Sequence, residues 1–350
     1  MNLASLIRAG RKFGASDIHV VANLSPVFRI DGEIVTSKAE TITPELARAL
    51  AYECLNEEQK RRFEAEWKLC FSTQIDDAGR ARVTLYFRNG IPELSIRLSE
   101  PAIRTRAELG LPPVIDELAR KPSGLVIITG PTGVGKTTTF HYMIDLINAE
   151  SRYKIVTIED PIEYVHPFKR SIVIQQELLS DVHSFGDALV HVLRQDPDVI
   201  GIGELRDRDT IHTALMAAET GHLVIATLHT PSTVELLQRM VSTFPEGQQG
   251  EIRYMLSNTL QGVVAQHLLP KASGKGRVLC YEVLVSTAGV RTHIRENSTH
   301  KIYSELQGGQ KYQMSTMDHC LLDLYQAGEI TYDTAVSMAR YPDTIRERSA

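Results

Sequence analysis

Eight consecutive residues have the types and the spacing needed to bind phosphate. They are Gly130, Pro131, Thr132, Gly133, Val134, Gly135, Lys136 and Thr137, in the P-loop pattern G-x-x-x-x-G-K-[ST]. Glycines let successive backbone N–H groups point into one concavity, while the lysine reaches the β- and γ-phosphates and the threonine hydroxyl binds Mg²⁺. The pattern therefore predicts a nucleoside triphosphate site. A glycine-rich turn before a helix is the structural alternative.

Three carboxylates follow the next apolar segment, residues 154–158. Glu159, Asp160 and Glu163 would repel phosphates unless Mg²⁺ or water separates them from the ligand. They are therefore candidates for activating an attacking water or for holding the metal through water. A solvated acidic loop is the alternative.

A glutamate and an arginine follow a third apolar segment, residues 199–203. Glu204 occupies the position of the acidic residue that ends the Walker B strand in P-loop proteins, where aspartate is usual. It is a candidate for catalysis and for holding Mg²⁺ through water. Arg206 follows two residues later and is a further candidate for the same site.

Two histidines flank the apolar segment 223–228. His229, at its carboxyl end, could hydrogen-bond a γ-phosphate oxygen or a carboxylate and so report the state of the nucleotide. His222 lies at the opposite end. A lone histidine in such a position is more often structural.

The elements that must position these residues are alternating strands and helices, which indicate a parallel sheet. Strands are predicted at 125–129, 154–158, 171–174, 199–203 and 223–228. In such sheets ligands bind outside the carboxyl ends of the strands. The P-loop, Glu163, Glu204 and His229 are therefore expected at one sheet edge.

The first hundred residues follow a different pattern. Helical segments, short strands and a hairpin turn at Asp31-Gly32 predict a separate α+β domain over residues 1–100. A linker rich in proline is predicted at 101–113, and the P-loop domain with C-terminal helices at 114–350. The predicted fold class of the whole chain is α/β.

Two predicted strands of the first domain, 80–88 and 93–98, carry arginines on one face. Alternation places their apolar residues toward the core and places Arg82 and Arg97 on the opposite face. A solvated sheet face is the alternative explanation for a lone arginine.

Composition excludes several classes of protein. The formal net charge of −5 gives no general attraction to nucleic acid or to anionic lipid. No apolar run approaches the ~18 residues of a membrane span, and the N-terminus lacks the apolar segment of a signal peptide. The four cysteines stand far apart and indicate reduced thiols. We therefore expect a cytoplasmic protein that binds no nucleic acid and does not insert into a membrane.

Four motifs together resemble the secretion-superfamily ATPases, and most closely the PilT-like retraction ATPases of type IV pili. They are the P-loop at 130–137, Ile-Glu-Asp-Pro-Ile-Glu at 158–163, Asp-Pro-Asp-Val-Ile-Gly-Ile-Gly-Glu-Leu-Arg-Asp at 196–207 and Glu-Thr-Gly-His-Leu-Val-Ile-Ala-Thr-Leu-His-Thr at 219–230. Ser-Asp-Ile-His at 16–19 and Arg-Ile-Asp-Gly at 29–32 also match. The resemblance covers essentially the whole chain.

This resemblance implies a PAS-like α+β N-terminal domain, a RecA-like P-loop NTPase C-terminal domain and a homohexamer that hydrolyses ATP with Mg²⁺ between subunits. It implies that Glu163 is the catalytic glutamate, Glu204 the Walker B acid and His229 the γ-phosphate sensor. Arg82 and Arg97 would enter a neighbour's site. The implied partners are a pilus platform protein of the inner membrane, at whose inner face the ring would dock, and possible paralogous pilus ATPases.

Alternatives to pilus retraction remain open. The Ala-Ile-Arg motif that the family links to retraction is Gly289-Val290-Arg291 here, so the motor of another secretion or pilus machine, or an accessory retraction paralogue, is an alternative. A nucleic-acid translocase would need a basic channel, against which the net charge argues. A nucleotide-gated binding module would need an incomplete catalytic set, whereas this set is complete.

Overall fold

The computed structural model describes residues 1–30, 32–75, 79–98 and 102–349. The chain forms two compact units. The first contains Met1–Ala102 and Pro161–Val165, and the second contains Ile103–Asp160 and His166–Ala350. The short segment Pro161–Val165 therefore belongs with a unit that is distant in sequence.

The first unit is an antiparallel six-stranded sheet with three helices, and its strand order is β3-β2-β1-β6-β5-β4. Its elements are α1 (Leu3–Lys12), β1 (Ala15–Val20), β2 (Val27–Ile30), β3 (Glu33–Thr36), α2 (Pro44–Glu53), α3 (Glu57–Glu66), β4 (Lys68–Ile75), β5 (Gly79–Arg88) and β6 (Ile91–Leu98). This arrangement confirms the α+β prediction for this part of the chain. The predicted hairpin joins β2 to β3, but Asp31 lies outside the described residues.

Strand β4 was missing from the sequence-based prediction. It begins directly after α3, and the turn between them uses Trp67 in the left-handed conformation (φ 61°). A bulky residue rarely adopts that conformation, so the sequence carries no turn signal there. Leu69 and Phe71 of β4 are buried in the core of the first unit.

The second unit is a seven-stranded sheet with helices on both faces, and its strand order is β13-β12-β7-β11-β10-β8-β9. Its strands are β7 (Gly124–Thr129), β8 (Lys154–Glu159), β9 (Ile172–Glu177), β10 (Val199–Ile202), β11 (Leu223–Leu228), β12 (Leu260–Pro270) and β13 (Arg277–Val285). Its helices are α4 (Arg106–Leu109), α5 (Val114–Ala119), α6 (Lys136–Glu150), α7 (Phe185–Val192), α8 (Arg208–Glu219), α9 (Thr233–Ser242), α10 (Glu246–Thr259), α11 (Ala288–Arg295), α12 (Ile302–Gly308), α13 (Met317–Gln326), α14 (Tyr332–Met338) and α15 (Pro342–Ser349).

All strands of this sheet are parallel to their neighbours except β13, which pairs antiparallel with β12. The five strands predicted from the sequence are all present, and β7, β10 and β11 are fully buried. Strand β11 lies between β7 and β10, so the loop after β11 lies next to the P-loop. The α/β fold class is confirmed.

The predicted linker and domain boundary remain predictions. Residues 99–101 lie outside the described part of the chain. Within 102–113 the chain forms α4, which Thr105 caps at its start and which ends at Gly110 in the left-handed conformation. No helix in the described residues is long and apolar enough to cross a membrane.

Candidate nucleotide site

The P-loop joins β7 to α6 and uses glycine where only glycine fits. Gly130, Gly133 and Gly135 have positive φ values of 139°, 82° and 89°. A Cβ atom at Gly130 would also overlap the backbone carbonyl oxygen of Gln266. The loop conformation therefore depends on the glycines at these spacings, as the sequence predicted.

Lys136 begins α6 and is 7% exposed. Its Nζ donates to Gly130 O at 2.7 Å and Pro131 O at 2.8 Å, and it lies 3.1 Å from His229 Nδ1. An ammonium has three N–H donors, so all three are used. Burial lowers the pKa of Lys136 to about 8, with the carboxylate of Glu204 opposing the shift. The side chain is therefore still charged at neutral pH.

Five side chains at the P-loop form a continuous series of contacts, which we call the outer chain: Lys136, His229, Glu204, Arg206 and Asp160. His229 Nε2 lies 3.3 Å from Glu204 Oε1, Arg206 Nε lies 2.7 Å from Glu204 Oε2, and Arg206 Nη1 lies 3.0 Å from Asp160 Oδ2. The outer chain therefore connects the P-loop with the ends of β8, β10 and β11, and it places Glu204 and His229 at the sheet edge where they were expected.

The proton positions of His229 follow from its two neighbours. The charged Lys136 can only donate, so Nδ1 of His229 must accept, and Nε2 carries the proton toward Glu204. Burial, and next the charge of Lys136, lower the pKa of His229. The ring is therefore neutral at pH 7 and joins a cation to a carboxylate.

Buried threonines position His229. Thr129 Oγ1 accepts a hydrogen bond from Thr230 N at 2.8 Å and lies 2.7 Å from Thr230 O. These contacts join the ends of β7 and β11 around His229. Arg277 of β13 also reaches the loop, because its Nη1 lies 3.4 Å from Gly133 O. No local pattern marks Thr129, Thr230 or Arg277, since their partners lie 101 to 144 positions away in the sequence.

A second series of side chains, which we call the inner chain, lies inside the second unit: Glu159, His141, His166, Asp145 and Lys169. Glu159 Oε2 lies 3.2 Å from His141 Nε2, His141 Nδ1 lies 2.9 Å from His166 Nε2, and His166 Nδ1 lies 3.8 Å from Asp145 Oδ1. Lys169 Nζ donates to Asp145 at 2.7 Å. One weak local signal points to this chain, the i, i+4 spacing of His141 and Asp145 in the P-loop helix.

Glu159 was predicted with the carboxylates near the phosphates, and the structure places it in the interior. It is 3% exposed, and its oxygens accept hydrogen bonds from Thr157 Oγ1 at 2.6 Å and Gln175 Nε2 at 2.9 Å. As the last residue of β8 it points inward, because neighbouring strand residues face opposite sides. The adjacent Asp160 joins the outer chain instead.

His222 lies at the opposite edge of the sheet from the P-loop. Its Nδ1 is 2.9 Å from Ala217 O and 3.2 Å from Thr220 Oγ1, at the end of α8. It also lines a cavity of about 180 Å³ at the starts of β10 and β11. The structure thus gives His222 a helix-end contact and does not bring it to the nucleotide loop.

Glu163 and the two arginines belong to the first unit. Ile162 O, beside Glu163, accepts hydrogen bonds from Ser72 Oγ at 2.9 Å and Arg80 Nε at 2.8 Å. In the sheet of this unit Arg82 lies directly opposite Arg97 on the face away from the core. Their catalytic roles remain predictions.

The two arginines also have neighbours of different kinds. Arg97 Nε pairs with Asp17 Oδ1 at 2.9 Å, and Arg82 Nε lies 3.2 Å from Cys70 Sγ. Like charges directly across a strand pair are destabilising. The carboxylate of Asp17 offsets this repulsion at Arg97.

Comparisons with known proteins find similar chains over nearly the full length. A family model described as Type II/IV secretion system protein matches residues 11–336. The type IV pilus retractation ATPase PilT of Pseudomonas aeruginosa is 39% identical over 98% of this chain and 99% of its own length. The type IV pilus ATPase PilU of the same organism is 36% identical over 99% of this chain and 91% of its own length.

A solved structure shows the same similarity in three dimensions. The crystal structure of the pilus retraction motor PilT with bound ADP has a TM-score of 0.92 at 42% identity and covers 99% of each chain. The PAS-like and RecA-like assignments of the two parts are consistent with that match. The chain belongs to the Type II/IV secretion system protein family and is an ATPase of that family.

Proposed function

We propose that this protein is the ATP-hydrolysing motor of type IV pilus retraction, the process that drives twitching motility. The observation that carries the proposal is the outer chain. It joins the P-loop lysine, a neutral histidine and the Walker B acid. The relatives of the protein over nearly its full length also include a pilus retraction ATPase.

Each residue of the site has a role that its chemistry supports. The N–H groups of the P-loop and Lys136 hold the phosphates of ATP. Thr137 and Glu204 supply the hydroxyl and carboxylate oxygens that Mg²⁺ prefers, Glu204 through water, so this donor set fits the metal. Held there with the nucleotide, Mg²⁺ would neutralise phosphate charge. Glu163 accepts the proton of the attacking water.

The histidine of the outer chain gives the site a way to respond to the γ-phosphate. All donors of Lys136 are already used, so a phosphate must replace at least one of its contacts. Loss of the contact to His229 would leave Nδ1 without its donor and change the pairing of Glu204. His229 thereby reports nucleotide state to the loop after β10.

We further propose that the active form is a homohexamer in which Arg82 and Arg97 act in a neighbour's site. Both arginines lie side by side on a face away from the core, and an arginine supplied in trans stabilises phosphoryl-transfer charge. Domain closure about residues 101–113 would transmit each cycle to a platform protein of the inner membrane. On this proposal the ring is cytoplasmic and docks at the inner face of that membrane.

Mixing two inactive variants tests the shared site. Lys136→Ala removes the P-loop lysine but keeps the arginines, and Arg82→Ala does the reverse. Mixed oligomers should regain ATPase activity, because some interfaces then combine an intact loop with an intact arginine. Homogeneous Arg82→Ala protein with full activity would remove this residue from the site.

Gene deletion tests the biological role. Cells without the gene should be hyperpiliated and should not twitch, and a Glu163→Gln copy should fail to restore movement. An unchanged pilus phenotype would instead favour another secretion machine. That alternative has one specific observation in its favour, since Gly289-Val290-Arg291 replaces the motif linked to retraction. The similarity to a second type IV pilus ATPase, PilU, supports another pilus ATPase, such as an accessory retraction paralogue, as the second candidate.

A nucleic-acid translocase makes a different prediction. Its ATPase rate would rise with single-stranded DNA, whereas a pilus motor without nucleic-acid partners should show the same rate with and without DNA. The measurement needs only the purified protein.

A further inference from the structure

The segment that carries Glu163 leaves the second unit after Asp160 and returns to it at His166. Glu159, just before the point of departure, and His166, at the point of return, are both buried. His141, on helix α6, lies between them. Its Nε2 is 3.2 Å from Glu159 and its Nδ1 is 2.9 Å from His166. One imidazole of the P-loop helix therefore bridges the two ends of the segment.

Gln175, on strand β9, bridges the same two ends independently. Its Nε2 donates to Glu159 Oε1, and its Oε1 accepts a hydrogen bond from His166 N, each at 2.9 Å. The two ends of the segment are thus joined twice, by α6 on one side and by β9 on the other.

The far end of this bridge constrains the tautomer of His166. Its Nδ1 faces the carboxylate of Asp145 at 3.8 Å, so an N–H at Nδ1 is favoured over a bare nitrogen, and Nε2 then accepts from His141 Nδ1. Burial lowers the pKa of His166, which favours its neutral form.

Burial makes these contacts hard to replace. The side chains of His141 and His166 are fully buried and that of Glu159 is nearly so, so water cannot substitute for a lost partner. His141 is also five residues after Lys136 on the same helix. The helix that begins at the phosphate-binding lysine therefore sets the separation and direction of both ends of the segment that carries Glu163.

We propose that His141 and Gln175 are positioning residues that hold Glu163 in its catalytic geometry by clamping both ends of residues 160–166. This inference rests on the proposed role of Glu163. A small displacement of a catalytic group lowers the rate of the chemical step without changing nucleotide binding, which depends on the P-loop.

The test is steady-state ATPase kinetics of the full-length protein with His141→Ala, together with ADP affinity. The kcat should fall about ten-fold or more, while KM and the Kd for ADP stay within about two-fold. His141→Gln should recover most of kcat, because its amide offers an N–H donor and an oxygen acceptor in similar positions. His191→Ala, an exposed helical histidine, is the matched control and should match the unmodified protein.

A second variant tests the same bridge if His141→Ala fails to fold. Gln175→Met keeps the side-chain volume and removes the amide that forms the other bridge, so it should also lower kcat more than it changes KM. An unchanged kcat in folded His141→Ala or Gln175→Met would overturn the proposal. A parallel loss of ADP affinity would overturn it too, because it would show damage to the P-loop.

Glu163→Gln separates the inference from the function on which it rests. If this variant keeps normal turnover, the role of Glu163 fails, whatever the clamp does. If it loses turnover, adding His141→Ala should lower the residual rate no further. A further ten-fold fall in the double variant would show that His141 acts on another group and would overturn the clamp.

Discussion

Two chains of charged and polar side chains run from helix α6 to the end of strand β8. The outer chain starts at Lys136 and ends at Asp160, and the inner chain includes His141 and reaches Glu159, the residue before Asp160. Arg206, Asp160, Glu204 and His229 of the outer chain are 24–49% exposed. Glu159, His141 and His166 of the inner chain are 0–4% exposed.

The difference in exposure indicates a difference in role. An exposed ion pair contributes about 0–1 kcal/mol, so Glu204, Arg206 and Asp160 of the outer chain can exchange partners at little cost when phosphate arrives. Removing one partner of a buried pair costs about 3–5 kcal/mol, so the inner chain is bound to one arrangement. The outer chain is therefore suited to respond to nucleotide, and the inner chain to hold the elements in place.

The largest predicted effect is on ATP turnover, and it distinguishes Lys136 of the outer chain from Lys169 of the inner chain. Lys136→Ala should lower ATP turnover by about 10³-fold or more, because it removes the cation that faces the β- and γ-phosphates. Glu204→Ala should have a comparable effect. Lys169→Ala removes a half-exposed ion pair of the inner chain and should leave turnover unchanged. Equal losses of activity in both lysine variants would contradict the distinction.

The second prediction concerns stability and compares adjacent residues. Glu159→Gln should lower the free energy of unfolding by about 3–5 kcal/mol, because His141 loses its buried partner. Asp160→Asn, at an exposed pair, should lower it by about 1 kcal/mol or less. Urea denaturation of the two variants measures both values, and equal changes would show that burial does not distinguish the chains.

The contribution of Glu159 should also depend on pH. Burial alone raises its pKa, but the charge of His141 and the hydrogen bonds from His141, Thr157 and Gln175 outweigh burial and lower it. The stabilisation is therefore complete above the ordinary glutamate value and is lost as the pH falls through the lowered one. The difference between the unmodified protein and Glu159→Gln should shrink in acid.

The sequence predicted the outer chain far better than the inner one. The P-loop, Glu204 and His229 follow apolar strands, and parallel strands bring such loops to one edge, so local patterns were sufficient. The inner chain was missed because a buried histidine has no distinctive local pattern. Its partners come from α6, β8 and the return of the chain at His166, and only the folded sheet brings these elements together. The inward direction of Glu159 also depended on where β8 ends, a boundary that alternation does not define to one residue.

The third prediction compares the histidines at the two ends of β11. His229→Ala removes the contact between Lys136 and Glu204 and should lower turnover about ten-fold, the effect of one hydrogen bond to a charged group. His222→Ala, at the opposite edge, should change turnover by less than about two-fold, since it loses only contacts at the end of α8. A larger loss of turnover in His222→Ala than in His229→Ala would show that lying at the carboxyl end of β11 does not determine which histidine supports turnover.

The smallest predicted effect is a pH dependence of ADP binding, which arises from the titration of Lys136 in the outer chain. Burial lowers the pKa of Lys136 to about 8, so its charge is lost within an accessible pH range. Phosphates stabilise the charged form, and ADP binding above pH 8 must therefore take up a proton. The Kd for ADP should rise about five-fold between pH 8 and pH 9, by the linkage between protonation and binding.

Lys136→Arg keeps its charge at these pH values, so its Kd should not follow this titration. A pH-independent Kd in the unmodified protein would show that Lys136 keeps its proton through pH 9, and that the outer chain holds its charge as firmly as a solvated lysine does.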